Sequence, residues 1–123
     1  CTFNGCCSDY FTLDYNGNIY PCDRLSANKK LCFGNLHSQS LLEILNNSKR
    51  LDYIEKINSL PSDCNICEWR NGCHNGCPHH RIGGFKGKYY YCEARKTIFN
   101  YLKKRANQTL HTTGRKEKNY ERR

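Results

Sequence analysis

The stretch Cys64-Asn-Ile-Cys67-Glu-Trp-Arg-Asn-Gly-Cys73-His-Asn-Gly-Cys77 decides how this chain is read. Two intervening residues let the thiols of Cys64 and Cys67 point at one metal from a single loop. The five- and three-residue gaps that follow bring two more sulfurs within reach without a long rigid element. His74, His79 and His80 stand nearby, but the cysteines suffice as ligands. Three chemistries use such a group. Disulfides suit small secreted domains. Structural zinc takes four thiolates, and so does an iron–sulfur cluster. Close loop pairs are more typical of metal ligands than of disulfides. Spacing within this stretch does not choose between zinc and iron.

The rest of the chain shows why such a group is needed. With 123 residues there is room for one small domain, and so short a domain builds a thin core. Ten cysteines (Cys1, Cys6, Cys7, Cys22, Cys32, Cys64, Cys67, Cys73, Cys77 and Cys92) make cross-links or metal the leading extra source of stability. No apolar run approaches a membrane span, and no secretory apolar stretch is present. Cys1 rather than Met stands first, as expected of a piece of something longer. Net charge is +9, from 20 Lys and Arg against 11 Asp and Glu. Eight of the basic residues lie from Lys103 to Arg123, opposed there only by Glu117 and Glu121. Basicity is therefore a property of the tail and says little about the domain. The tail has no aromatic interleaving short of Tyr120, so it reads as solvated, and neither nucleic acid nor membrane is expected as a partner.

Upstream, Phe11-Thr12-Leu13-Asp14-Tyr15, then Asn16-Gly17, then Asn18-Ile19-Tyr20 form a hairpin signal. Asn-Gly between β-formers favours a tight turn with positive φ. Strands are expected over about 10–15 and 18–22, with Cys22 ending the second. Ser40-Leu41-Leu42-Glu43 fits a capping box, so a short helix is expected from Leu41 to about Asn47. A second helix, over about Lys49–Ser59, puts Leu51, Ile54 and Ile57 on one face and stops at Leu60-Pro61-Ser62. From Cys64 to Gly87 the glycines Gly72, Gly76, Gly83, Gly84 and Gly87 predict loop. Tyr89, Tyr90 and Tyr91 read as strand or core material. Ala94, Ile98 and Leu102 recur every four residues, which predicts a helix from near Cys92 that frays beyond Ala106. The expected fold class is small α+β: an N-terminal β-hairpin, short helices, cysteine-rich metal-stapled loops and a C-terminal helix, with no TIM-type barrel.

The wider cysteine pattern is more specific than the dense stretch. Cys7-x9-Gly17-x4-Cys22, then Cys64-x2-Cys67-x5-Cys73-x3-Cys77, then Cys92 resembles the seven-cysteine signature of the SPASM domain. That domain is the C-terminal auxiliary-cluster module of many radical S-adenosylmethionine (SAM) enzymes. The likeness covers roughly residues 1–100, with all seven cysteines and the glycine in register. Local text resembles the anaerobic sulfatase-maturating enzymes: Gly17-Asn18-Ile19-Tyr20-Pro21-Cys22-Asp23, then Phe33-Gly34-Asn35-Leu36, with Cys1 six residues before Cys7.

This resemblance implies two [4Fe–4S] clusters with interleaved ligands. Auxiliary cluster I takes Cys1, Cys7, Cys22 and Cys77, the last reaching back from the dense stretch. Auxiliary cluster II takes Cys64, Cys67, Cys73 and Cys92. Together the clusters staple the hairpin to the C-terminal loops. The implied SPASM domain spans 1–102, and 103–123 hold the end of the C-terminal helix and the basic tail. The six-residue offset favours Cys7 over Cys6, while Cys32, between Leu31 and Phe33, reads as an inert buried thiol. Asp23 stands where the sulfatase-maturating enzymes carry a suggested base; the alternative use is to cap the following loop. Trp69 is expected over the second cluster. His74, His79, His80 and Arg81 either hydrogen-bond cluster sulfur or line a solvated loop.

The radical SAM core is expected on a missing N-terminal portion. That core needs C-x3-C-x2-C, and after Cys73 and Cys77 position 80 is His80, so the motif fails. S-adenosylmethionine and a third [4Fe–4S] belong to that N-terminal barrel, which is the first implied partner. The others are a peptide or protein substrate, a sulfatase, and a reducing flavodoxin or ferredoxin, all in the cytoplasm. The implied reaction oxidises a sulfatase Cys or Ser to Cα-formylglycine. A 5′-deoxyadenosyl radical removes a Cβ hydrogen, Asp23 takes a proton, and the auxiliary clusters accept or pass the remaining electron. Two alternatives stand beside it: a SPASM domain from another peptide-modifying enzyme, such as a thioether-forming one, and a zinc-stapled module that binds nucleic acid or protein.

Overall fold

The computed structural model describes residues 4–120, with side chains described as far as residue 110. It divides into two compact units, Cys1–Tyr90 and Tyr91–Arg123. The first unit opens with a hairpin of β1 (Thr12–Leu13) and β2 (Asn18–Tyr20), antiparallel with Thr12 opposite Tyr20 and Leu13 opposite Ile19. Its turn is wider than a two-residue Asn-Gly turn. The Asp14 carbonyl accepts from the Gly17 amide at 3.1 Å, and only Gly17 takes a positive φ there, +82°. The Asp14 carboxylate accepts from the amides of Asn16 and Asn18 at 2.8 and 2.9 Å, a side-chain closure that a glycine bulge completes.

A third strand, β3 (Gly34–Asn35), is not legible in the alternation and pairs antiparallel with β2. Its Asn35 side chain donates to the Asn16 carbonyl at 2.8 Å and to the Asn18 side chain at 2.9 Å, which fixes it to the hairpin turn. The sheet order is β1-β2-β3.

The capping box forms as expected. The Ser40 amide donates to Glu43 Oε2 at 2.7 Å, the Glu43 amide donates to Ser40 Oγ at 3.3 Å, and α1 covers Leu41–Leu45. The following helix, α2, covers Ser48–Asn58, capped by Asn47, whose Oδ1 accepts from the Arg50 amide at 2.9 Å. Of its expected face Ile57 is buried and Ile54 packs against the core, but Leu51 is not part of it. Tyr53 and Ile57, one turn apart, are buried, and Leu51 is exposed. The aromatic ring wins the core because it reaches both Phe33 (ring centroids 5.7 Å apart) and Phe85 (5.2 Å, edge-on). Ile19, Leu25, Phe33, Ile44, Tyr53 and Ile57 form the core, and Cys7 and Cys22 pack against it.

The stretch expected to be loop contains helical turns: α3 (Ser62–Asn65), α4 (Arg70–Cys73) and a 3-10 turn at Pro78–His80. Of the three tyrosines only Tyr89 is buried; Tyr90 and Tyr91 are exposed. The second unit carries the long helix α5 (Cys92–Tyr120), which starts where the periodicity places it and runs well past Ala106. Lys, Arg, Gln and Glu are good helix formers, so a polar sequence continues the helix. Ile98 and Leu102, the residues of the expected apolar face, are 56% and 54% exposed.

Candidate metal centre

Three remote pieces of chain bring three cysteines to one place. Cys22 leaves β2 behind the buried Ile19, Tyr20 and Pro21, and its carbonyl accepts from the Leu25 amide at 3.0 Å. Cys7 lies in the N-terminal segment, which Arg50 ties to α2: its guanidinium donates to the Leu45 carbonyl at 2.8 Å and to the Ser8 carbonyl at 2.9 Å. Cys77 arrives through His74, Asn75 and Gly76, three successive left-handed residues with φ of 51°, 57° and 58°. These reverse the chain after α4 and send Cys77 away from its sequence neighbours. Asn75 is buried and locks the reversal, donating to the Gly87 carbonyl and accepting from the Tyr89 amide, both at 2.9 Å. Gly76 is required, because a Cβ there would meet the Tyr89 ring at 2.4 Å.

Cys7, Cys22 and Cys77 line one cavity of about 240 Å³, together with Asp23, Tyr53 and Pro78. The three thiols feel one another. Burial pushes the Cys7 thiol pKa up, and the neighbouring Cys77 and Cys22 push it further, with Arg81 opposing. The Tyr53 phenol is raised in the same way, by burial first and then by Cys7, Cys22 and Cys77. Crowded thiols of this kind ionise together only around positive charge, which is the condition a metal group supplies. Among the described residues no three His, Cys, Asp or Glu side chains close around a single ion. A cavity of this size instead admits a many-atom group, so the donor set and the space fit an iron–sulfur cluster.

Cys6 does not line the cavity. The Cys32 thiol donates to the Gly34 carbonyl at 3.4 Å and has its own partner. Cys1 lies outside the described residues. Cys64 sits in α3, Cys73 ends α4, and Cys67 lies in the turn between, where its amide meets the Cys64 carbonyl at 3.4 Å. Cys92 is the first residue of α5.

Asp23 is exposed at the rim, in the first turn after Cys22. Its backbone carbonyl accepts from the Ser26 amide and hydroxyl at 3.2 and 2.7 Å. Its carboxylate makes no hydrogen bond among the described residues, so the loop-capping use is not realised. His80 lies 3.4 Å from the Arg24 guanidinium, and burial followed by Arg24 and His79 holds its pKa down. Two contributors were not read from the sequence: Tyr53 as a cavity wall and the left-handed run before Cys77. The Asn75-Gly76 pair carried a signal for the latter, since Asn and Gly are the residues that tolerate positive φ.

The SPASM family model, described as an iron-sulfur cluster-binding domain, matches residues 1–68. The chain belongs to the SPASM family. Curated relatives extend the likeness of this SPASM chain beyond that match. A cysteine-type anaerobic sulfatase-maturating enzyme of Clostridium perfringens is 28% identical over 104 residues, covering 82% of this chain and 28% of the relative. A serine-type anaerobic sulfatase-maturating enzyme of Bacteroides thetaiotaomicron is 27% identical over 107 residues, covering 83% of this chain and 26% of the relative. Among solved structures, native anSMEcpe with bound AdoMet and Cp18Cys peptide superposes with a TM-score of 0.75 at 26% identity, covering 91% of this chain and 32% of that one. The SPASM chain thus spans under a third of these relatives, and its small α+β fold corresponds to one part of them. Among the described residues no helix is long and apolar enough to cross a membrane.

Proposed function

We propose that this chain is the auxiliary-cluster part, residues 1–102, of a radical SAM enzyme that oxidises a sulfatase Cys or Ser to Cα-formylglycine. The observation that carries the reading is the cavity where Cys7, Cys22 and Cys77 meet with Asp23 at its rim. Similarity to both cysteine-type and serine-type maturating enzymes supports the reaction class. In this reading Cys1, Cys7, Cys22 and Cys77 hold auxiliary cluster I, and Cys64, Cys67, Cys73 and Cys92 hold auxiliary cluster II. Cys1 and Cys92 enter on the family spacing alone. When bound, such clusters accept or pass single electrons.

The chain's own residues do the rest. The left-handed run aims Cys77 back at the hairpin, and the core under Cys7 and Cys22 keeps the ring of thiols dry on one side. Asp23, whose carboxylate is exposed and free of a structural hydrogen bond, takes the proton from the substrate thiol or hydroxyl. The N-terminal barrel with S-adenosylmethionine and a third [4Fe–4S], a sulfatase peptide, and a flavodoxin or ferredoxin donor complete the reading, in the cytoplasm.

Two measurements on the intact enzyme test it. Anaerobic analysis should find about eight irons and eight sulfides in this region beyond those of the core. Mass spectrometry of a sulfatase peptide should show conversion to formylglycine, reduced at least ~100-fold by Asp23→Asn with iron content unchanged. Zinc without sulfide would sink the cluster reading, and undiminished conversion by the Asn variant would sink the base assignment.

A further inference from the structure

Arg81 is a buried cation that has no carboxylate partner among the described residues. It is 9% exposed. Its Nε donates to the Asn75 carbonyl at 3.1 Å, Nη1 donates to the Ile57 and Phe85 carbonyls, both at 2.7 Å, and Nη2 reaches the His74 carbonyl at 3.4 Å. Every polar partner is a neutral backbone oxygen, and among the described residues its ion pairs with Asp or Glu number none. Hydrogen bonds to carbonyls satisfy the donors but leave a full positive charge in a low-dielectric interior, which is costly unless an anion lies close. Burial accordingly pulls the Arg81 pKa down. The groups that oppose this pull are Cys7, Tyr53, Cys64 and Cys77. Three of the four are cysteines, from both proposed ligand sets, and the geometry agrees: Arg81 lines one cavity with Cys7, and the His74 and Asn75 carbonyls that it binds lie on the link from Cys73 to Cys77.

We propose that Arg81 is the fixed counter-charge shared by the two cysteine sets, and that it raises the reduction potential of the clusters they hold. The inference rests on the cluster reading above. A four-iron core with four thiolates is net negative, and taking up an electron makes it more so. A nearby buried cation therefore favours the reduced form. Because four of its five donors are spent on carbonyls, Arg81 acts chiefly through charge rather than through hydrogen bonds to sulfur. Those same carbonyls, at the end of α2, in the left-handed run and in the glycine loop, hold the guanidinium in place.

The test compares Arg81→Gln and Arg81→Lys in the intact, iron-loaded protein. Iron and sulfide are measured first, and EPR-monitored redox titration second. Wild-type protein that holds no iron and sulfide here defeats the cluster reading itself. With wild type loaded, the Gln variant should shift the one-electron reduction equilibrium at least tenfold toward the oxidised form, about 59 mV more negative. The Lys variant should stay within about threefold of wild type, because it keeps the charge. A Gln variant that loads with the wild-type potential overturns the proposal, as does a Lys variant that shifts as far as Gln. If Gln fails to load, Lys decides alone. Loading with wild-type potential supports the charge role, and failure to load assigns Arg81 to the geometry of its fork.

Discussion

The two cysteine-bearing regions of the first unit are built on different principles. The thiols of Cys7 and Cys22 rest against a core of Ile19, Leu25, Phe33, Ile44, Tyr53 and Ile57, and Cys77 is itself buried, 8% exposed. Cys64 and Cys73 lie on two four-residue helices, α3 and α4, that bury none of their residues, Cys67 lies in the turn between them, and Ile66 in that turn is 91% exposed. The first region is organised by apolar packing and would keep its shape around an empty ring. The second is organised by short turns, such as the Cys73 amide to Trp69 carbonyl bond at 2.8 Å and the Gly76 amide to Cys73 carbonyl bond at 2.8 Å. Turns of that kind are individually marginal. The first set of cysteines is thus held by packing and the second by short turns, and in the proposed two-cluster reading the order of the second comes from its metal.

The largest effect should come from crossing this boundary with cysteine variants. Cys77→Ala should remove about half of the auxiliary iron and also lower thermal stability, since it opens a hole in a packed region. Cys73→Ala should remove a similar share of iron while leaving the hairpin region folded, as read by the near-UV spectrum. Equal loss of fold in both variants would erase the distinction.

A core substitution presses on the first region alone. Ile44 is fully buried, and Ile44→Ala should cost about 2–5 kcal/mol in denaturant unfolding of the iron-loaded protein. Ile66→Ala should fall within about 0.5 kcal/mol of wild type, as exposed positions do. A third experiment needs no substitution. Anaerobic chelation followed by hydrogen exchange should deprotect the amides of α3 and α4 before those of β2 and α2.

The smallest effects belong to the polar closures. Ser40→Ala should cost about 1 kcal/mol by removing the α1 cap, with iron content unchanged. Asp14 and Glu43 are both held below the ordinary carboxylate range, Asp14 chiefly by the Asn18 side chain and Glu43 by Ser40. A depressed folded pKa stabilises at pH above the unfolded value and loses that contribution as pH falls through the folded one. Stability should therefore be flat above about pH 5 and decline below about pH 4, with Asp14→Asn and Glu43→Gln each flattening part of the decline.

Sequence by itself determined the local features of this protein. The hairpin around Gly17, the Ser40–Glu43 capping box, the helix from Cys92 and the metal-ligand character of the cysteine spacing all depend on residues close in the chain. Their physics is turn preference, capping and periodicity. Where burial decided the outcome, local pattern misled. Tyr53 displaced Leu51 from the core because its ring spans Phe33 and Phe85, and α5 turned Ile98 and Leu102 outward. The third strand depends on Asn35 finding the hairpin turn, an interaction across more than a dozen residues that no periodicity encodes. Tertiary structure alone decided that Cys77 joins Cys7 and Cys22 in one cavity and that Arg81 lies buried on the His74 and Asn75 carbonyls, on the link from Cys73 to Cys77. Both facts follow from three left-handed residues and a handful of backbone carbonyls, whose directions are set only when the whole unit packs.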